Sequence, residues 1–174
     1  DNTVEVFSDG SSLGTTTSDS DGNWSFTSDT LDAGTYSITA TATDAAGNES
    51  DESDALSLTI DTTGPSTPST PDLSSNSDTG SSDSDDLTGD TTPTFTGTAE
   101  ADSTVEIFSD GSSLGTTTSE SDGNWSFTPN SDLELATHSI TATVIDIAGN
   151  VSDASSELSI TIGETFSDRD SLDN

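Results

Sequence analysis

Residues 1–28, DNTVEVFSDGSSLGTTTSDSDGNWSFTS, return at 102–129 as DSTVEIFSDGSSLGTTTSESDGNWSFTP, with 24 of 28 positions identical at an offset of 101. After one insertion near 130–136 the offset becomes 102, and YSITATATDAAGN (36–48) matches HSITATVIDIAGN (138–150). A period near one hundred is too long for a solenoid, whose units run about 20–50 residues and bury a core only by stacking. It is the size of a module that folds on its own. Two copies of one domain are therefore expected: a partial one over 1–62 and a complete one over 63–163, with 164–174 as a tail or the start of a next module.

Within the complete copy, period-two alternation marks the strands. Phe95, Gly97 and Ala99 share a face, as do Val105 with Ile107, Trp125 with Phe127, Ile140 with Ala142 and Val144, and Leu158 with Ile160 and Ile162. The positions between them are mostly Thr, Ser and Glu, which suit the solvated side of an antiparallel sheet. No stretch reads as a helix longer than one turn. Seven or so short strands between Gly, Asp and Ser turns predict an all-β fold, tandem antiparallel β-sandwiches of immunoglobulin-like type. Trp125 with Phe127, and Trp24 with Phe26, are expected to fill the two cores. Tyr36, at the start of a late strand, stands where such a sandwich places a tyrosine whose hydroxyl ties a corner, and His138 takes its place in the second copy. Asp21-Gly22 is read as a tight type I′ hairpin turn.

The first copy begins at TVEVF and lacks a counterpart of residues 63–101, the source of the first two strands. Its open edges need a cover or are a pairing liability. Between the copies, DTTGPSTPSTPDL (61–73) carries three prolines in seven residues, the mark of a short extended linker.

Against this ordered pattern stands the charge. The chain has 34 acidic residues and one basic residue, Arg169, for a formal charge of -33. Two carboxylates about 5 Å apart repel by about 0.8 kcal/mol even in water, so a compact state needs something to offset them. With so little cationic surface, nucleic acid and anionic membranes are excluded as partners. There are no cysteines, hence no disulfides or thiolate metal sites. No apolar run approaches 18 residues, so neither a membrane-spanning segment nor a signal peptide is expected in this stretch.

Catalytic chemistry finds little support. The single histidine, His138, faces inward by parity and is replaced by Tyr36 in the sister copy, so a structural role at the core edge is expected. The acids lie among Ser, Thr and Gly rather than in an apolar pocket that would raise one of a catalytic pair. SDSDGNW superficially resembles a helix-loop-helix calcium loop, yet glycine comes fourth rather than sixth from Asp19 and position twelve is Thr30. The stretch NSDTGSSDSDDLTGD (76–90) is different. Its clustered aspartates, hydroxyls and carbonyls, with Gly80 and Gly89 for sharp turns, match the six to eight hard oxygens that Ca²⁺ takes. Asp61, where one copy ends and the next begins, is placed to clamp the junction.

The run SDTGSSDSDDLTGDTTPTFTGTAEADSTVEIF (77–108), together with DGNWSFT, HSITATVIDIAGN and the IDTTGP linker, resembles the bacterial immunoglobulin-like extender repeats of RTX-type biofilm adhesins. The likeness covers nearly all of residues 1–162. It implies a Gram-negative surface protein exported by type I secretion, in which β-sandwich arrays stiffened by Ca²⁺ project a distal ligand-binding domain. By position it implies metal ligands at Asp78, Asp85 and Asp90 in the acidic loop and Asp61 in the linker. Asp44 and Asp146, heading the DAAGN and DIAGN loops, join them near a sandwich end, and Glu100 and Asp102 lie in a variable part of the pattern.

The leading expectation is a non-enzymatic spacer repeat of an extracellular adhesin, with Ca²⁺ as its cofactor and neighbouring repeats of the same chain as its partners. No small-molecule substrate and no direct membrane insertion are expected. The alternative is a module that itself binds carbohydrate or a cell-surface ligand; near-identical loops in the two copies suit a spacer better. A third reading, acidity serving hydration alone, predicts that NaCl replaces Ca²⁺ fully.

Overall fold

A computed structural model describes residues 1–80, 82 and 84–163; the proposed tail at 164–174 lies outside the described residues. The chain divides into two compact units, Asp1–Thr62 and the part from Thr63 onward.

The first unit is one antiparallel sheet built from β1 (Thr3–Ser8), β2 (Ser11–Thr17), β3 (Gly34–Thr43) and β4 (Leu56–Ile60), in the order β2-β1-β3-β4. Val4 and Val6 alternate inward and are buried, as period two requires. Asp9 and Gly10 join β1 to β2 with φ of 49° and 76°, and Ser8 faces Ser11 across the turn. A two-residue loop with both φ positive is the type I′ turn whose twist matches the strands. The ladder then slips between Val6 and Phe7, a bulge at which Gly14 (φ 141°) lies against Phe26.

The second unit is a sandwich. One layer is β10 (Asn124–Phe127), β7 (Phe95–Thr98) and β5 (Asp72–Leu73), in that order; the other is β6 (Leu87–Thr88), β12 (Leu158–Ile162), β11 (Thr137–Ile145), β8 (Thr104–Ser109) and β9 (Ser112–Thr118). Leu73, Phe95, Trp125 and Phe127 from the first layer meet Val105, Ile107, Ile140, Ala142, Ile160 and Ile162 from the second. Burial of each such side chain contributes about 1.5–3 kcal/mol. Among the described residues all ladders are antiparallel except β6 with β12, which is parallel. No helix among the described residues is long and apolar enough to cross a membrane.

Two expectations are corrected. Asp21-Gly22 is not a type I′ turn: Gly22 alone of the pair has positive φ, and the bonds Gly22 N–H to Asp19 O (3.1 Å) and Asp19 N–H to Asn23 O (2.8 Å) enclose a three-residue loop. Three residues take an ordinary turn followed by a left-handed glycine; the type I′ turns are Asp9-Gly10 and its copy Asp110-Gly111. Nor does Trp24 fill a core. It is 47% exposed, against 3% for Trp125, because β10 is held by β7 and residues 1–62 contain no counterpart of β7.

Candidate functional site

In the second unit the acidic stretch 74–90 connects β5 to β7 and contributes β6 on the way. Its first turn is closed by Ser77 N–H and Asp78 N–H, both donating to Ser74 O at 2.8 and 2.9 Å. Asp90 brackets the other end. Its Oδ2 accepts from Ser77 Oγ at 3.0 Å and its Oδ1 from Thr92 N–H at 3.0 Å, while Ser77 Oγ accepts from Thr94 N–H. Asp85 Oδ1 accepts from Leu87 N–H at 3.3 Å. The turn passes so close that a Cβ on Gly80 would stand 2.6 Å from Leu87 O and 2.8 Å from that Asp85 oxygen, so glycine is required there.

This folding places Asp78 inside, 7% exposed. Its Oδ2 accepts from Asp86 N–H at 3.3 Å, whereas its Oδ1 is buried with no hydrogen-bond partner. Asp86, held at φ 56°, has its carboxyl pushed above the usual range by burial first, and then by the negative charges of Asp78, Asp72 and Asp85. Asp72, Asp78 and Asp86 line one open cleft of about 400 Å³ with Ser74, Ser84 and Thr96.

The polar lining side chains are all carboxylates and hydroxyls, the hard-oxygen class that Ca²⁺ takes together with carbonyls and water. An orphaned buried carboxylate oxygen and a carboxyl forced upward are both features that a bound cation would answer. Among the described residues, no three His, Cys, Asp or Glu side chains already stand in an arrangement that holds a metal ion; Ser81 and Asp83, in the same loop, lie outside the description. Asp72 and Asp86 are cleft residues that sequence reasoning missed. The only signal for Asp86 is the Asp-Asp-Leu run, since aspartate is among the few residues enriched at positive φ.

The other candidates are placed as follows. Asp44 and Asp146 each close their own loop: Oδ1 accepts from Asn48 N–H (2.9 Å) or Asn150 N–H (2.9 Å), and Oδ2 from the same asparagine's side-chain amide. Those donors, the side-chain amides first, hold both carboxyls below the usual range. Glu100 and Asp102 are exposed on the turn between β7 and β8, where Asp102 takes φ 59°. Asp61 is exposed, one residue past β4.

His138 is buried, and both its nitrogens face acceptors: Nδ1 meets Asp110 Oδ2 at 2.8 Å and Nε2 meets Glu134 O at 2.9 Å. Burial pulls its pKa down, but the bonds to Glu134 O and Asp110 and their negative charges prevail and raise it. When protonated, the ring donates from both sides and has no lone pair to offer as a base. In the first unit Tyr36 makes the matching corner, its hydroxyl donating to Asp32 O at 2.9 Å.

No curated protein matches the sequence. A model of the bacterial Ig-like domain matches residues 1–62 and again 65–164. Among solved structures, the fibronectin(III)-like modules of Clostridium thermocellum CbhA are 16% identical with a TM-score of 0.53, over 93% of this chain and 78% of that one. A Ca²⁺-stabilized adhesin that helps an Antarctic bacterium reach out and bind ice is 25% identical, TM-score 0.41, over 94% of this chain. A tetra-tandem repeat from the extending region of a large adhesion protein is 24% identical, TM-score 0.38, over 91% of this chain. The chain spans 40% and 42% of the lengths of those two adhesin structures.

Proposed function

The chain belongs to the bacterial Ig-like domain family, and from that premise we propose that it is a spacer of a large adhesin on the bacterial surface, stiffened by Ca²⁺ at its acidic loop. Residues 63–163 are one whole module of this spacer and residues 1–62 the later part of another. The observation that carries the reading is the Asp78 Oδ1, buried without a partner in a cleft it shares with Asp72 and Asp86. A buried unpaired carboxylate oxygen costs several kcal/mol of desolvation unless a cation or donor answers it.

The topology supplies a mechanical role. Asp72 lies on β5, which pairs with β7 in the three-stranded layer. Asp86 immediately precedes β6, which pairs with β12 in the five-stranded layer. Asp78 sits on the loop between them. A divalent ion held by these carboxylates, with hydroxyl and carbonyl oxygens completing its shell, would cross-brace the two layers of the sandwich. It would also neutralise the most crowded acids of the unit. Calcium supplies this as charge and coordination alone, so the role is structural rather than catalytic. The near-identity of the two copies suits a repeated spacer, and Asp61 in the linker is a further candidate ligand. Millimolar Ca²⁺ outside the cell would then favour the stiff array, and scarce Ca²⁺ inside would leave it loose enough for export.

The test is a thermal melt of the chain in chelator, in millimolar CaCl₂ and in NaCl of equal ionic strength. At a hundredfold excess over its dissociation constant, one ion stabilises by about 2.7 kcal/mol. At about 4–8 °C per kcal/mol for a domain of this size, the midpoint of the second unit should rise by roughly 11–22 °C. Equal midpoints in calcium and sodium would reduce the acidic stretch to a hydrated loop and sink the reading.

A further inference from the structure

The parallel pair of β6 and β12 lies on the path that tension takes through the second unit. Residues 1–62 are joined covalently to Thr63, so a pull from that side enters there, and a pull from the other side leaves past Ile162, the last residue of β12. The incoming segment is gripped first at the edge of the three-stranded layer. Ser69 N–H donates to Thr98 O, Thr98 N–H donates to Ser69 Oγ, and Asp72 and Leu73 pair with Thr96 and Phe95. The outgoing strand belongs to the five-stranded layer. At β6 the incoming segment bonds directly to that outgoing strand: Thr161 N–H donates to Asp86 O and Gly163 N–H to Thr88 O, both at 2.9 Å. β6 is in turn locked to its own loop. Thr88 is 2% exposed, and its Oγ1 donates to Ser77 O, faces Thr79 Oγ1 at 3.2 Å and accepts from Asp90 N–H at 2.9 Å.

We propose that β6 and β12 form the load-bearing clamp of this module, the contact whose rupture sets how long it survives under tension. The argument is directional. In a parallel pair the two chains run the same way, here with Leu87 beside Thr161 and Thr88 beside Ile162. Tension on the incoming segment draws β6 backward, toward Asp86, and tension beyond Gly163 draws β12 forward. The strands are thus pulled in opposite directions along one axis, so the bonds between them share the load and must fail nearly at once. An antiparallel hairpin pulled apart at its open end, such as β8 with β9, would instead release its bonds one after another. Lifetime under force follows the unfolding rate rather than the equilibrium stability, so a short pair loaded in shear outweighs larger contacts that lie off the path. The buried Val105, Ile140 and Ala142 hold the fold at rest, yet they stay assembled until the clamp has failed. Its bonds are backbone bonds that need no ion, so the proposal stands or falls apart from the calcium reading.

The experiment is single-molecule force-clamp spectroscopy of the full chain in chelator. The sequence holds no cysteine, so one added at each end gives unique handles. Unfolding of residues 63–163 is recognised by a step of about 35 nm, against about 21 nm for residues 1–62, at roughly 3.5 Å of extended chain per residue. Gly163→Pro removes one clamp bond, and the residue before it is already extended, as proline requires. Gly163→Ala keeps the N–H, and its Cβ would meet nothing within 4 Å among the described residues. The proline variant should unfold about fivefold faster at a fixed force, the rate equivalent of one net backbone hydrogen bond, while the alanine variant keeps the wild-type rate. Thr161→Pro deletes the other bond and should act alike, so the reading does not hang on one variant's folding. Ile140→Val, a core change that lowers stability in urea, should leave the forced rate unchanged, because the core is intact when the clamp breaks. Equal forced rates for Gly163→Pro and Gly163→Ala would overturn the proposal. So would an Ile140→Val chain that unfolds under force as fast as the proline variants, since the load would then be spread through the core.

Discussion

Gly97→Ala tests the packing logic of the sandwich with a single added methyl group. The new Cβ would stand 2.5 Å from Trp125 Cζ2, 2.7 Å from Cε2 and 2.8 Å from Ser69 Oγ, where ordinary contact needs about 3.4 Å or more. The ring must therefore retreat by close to 1 Å. Trp125 is 3% exposed and packed within the main core cluster, so its retreat displaces neighbours in a close-packed interior. Overpacking of this kind costs about 1–3 kcal/mol. Against it, replacing glycine at a backbone angle alanine accepts restricts the unfolded chain and returns about 0.4–1 kcal/mol. The clash wins, with a net loss of about 1–2 kcal/mol. At a slope of about 1 kcal/mol per molar urea, the low end for small domains, the unfolding midpoint should fall by about 1–2 M. In the chain labelled with fluorotryptophan, the ¹⁹F resonance of Trp125 reports the transition. A midpoint that stays put or rises would show that the indole has room to move, and the requirement for glycine opposite Trp125 would fail.

Asp78→Asn removes the orphaned buried charge, so in chelator it should raise the melting midpoint of the second unit by a few degrees while abolishing most of the calcium increment; a variant that keeps the full increment would remove Asp78 from the ion's shell. His138→Tyr installs the corner of the first unit, and it should flatten one limb of the pH–stability curve. The wild-type His138 pKa is raised in the fold, so its contribution is fully present below the unfolded value near 6.5 and is lost as pH rises through the higher folded value; urea midpoints from pH 6 to 9 that fall equally in both proteins would exclude the histidine as the source. Trp24→Ala and Trp125→Ala, made at the same word of sequence, should differ: about 3–5 kcal/mol for the buried ring and roughly half that or less for the exposed one, by urea denaturation followed by circular dichroism.

Where hydrophobic alternation was strict, the fold could be read directly. Ile140, Ala142 and Val144 point inward on β11, and Val105 with Ile107 do so on β8, because a single face of each strand carries all the apolar mass. The exposure of Trp24 was not legible, since its local sequence is that of Trp125 and only a non-local partner separates them. β6 was invisible for another reason: two residues in an acidic run show no period, and their pairing is parallel. At the site, the acidic stretch was legible as an oxygen-rich loop, and Asp78 is the acid that this loop buries. What composition could not reveal was which aspartates would be answered locally. Asp90 is taken up by Ser77 and Thr92, while Asp72 reaches the cleft from β5, the strand that leads into the loop.

That division bears on how a chain of charge -33 folds with almost no cations of its own. Asp19, Asp44, Asp110, Asp122 and Asp146 all stand below the usual carboxylate range. The leading causes are hydrogen bonds from the backbone N–H of Asn23, Ser139 and Asn124 and from the side-chain amides of Asn48 and Asn150. In these loops the N–H groups do the work of counter-ions, and the acids are fasteners rather than burdens. Among the described residues Asp86 is the one carboxyl shifted the other way, and Asp78 keeps an oxygen that none of them answers. If acidity served hydration alone, the unanswered acids would be expected at the surface, where water answers them without cost. Asp78 is instead buried between β5 and β6, which belong to separate layers, and that is the place where the proposed cation would brace the fold.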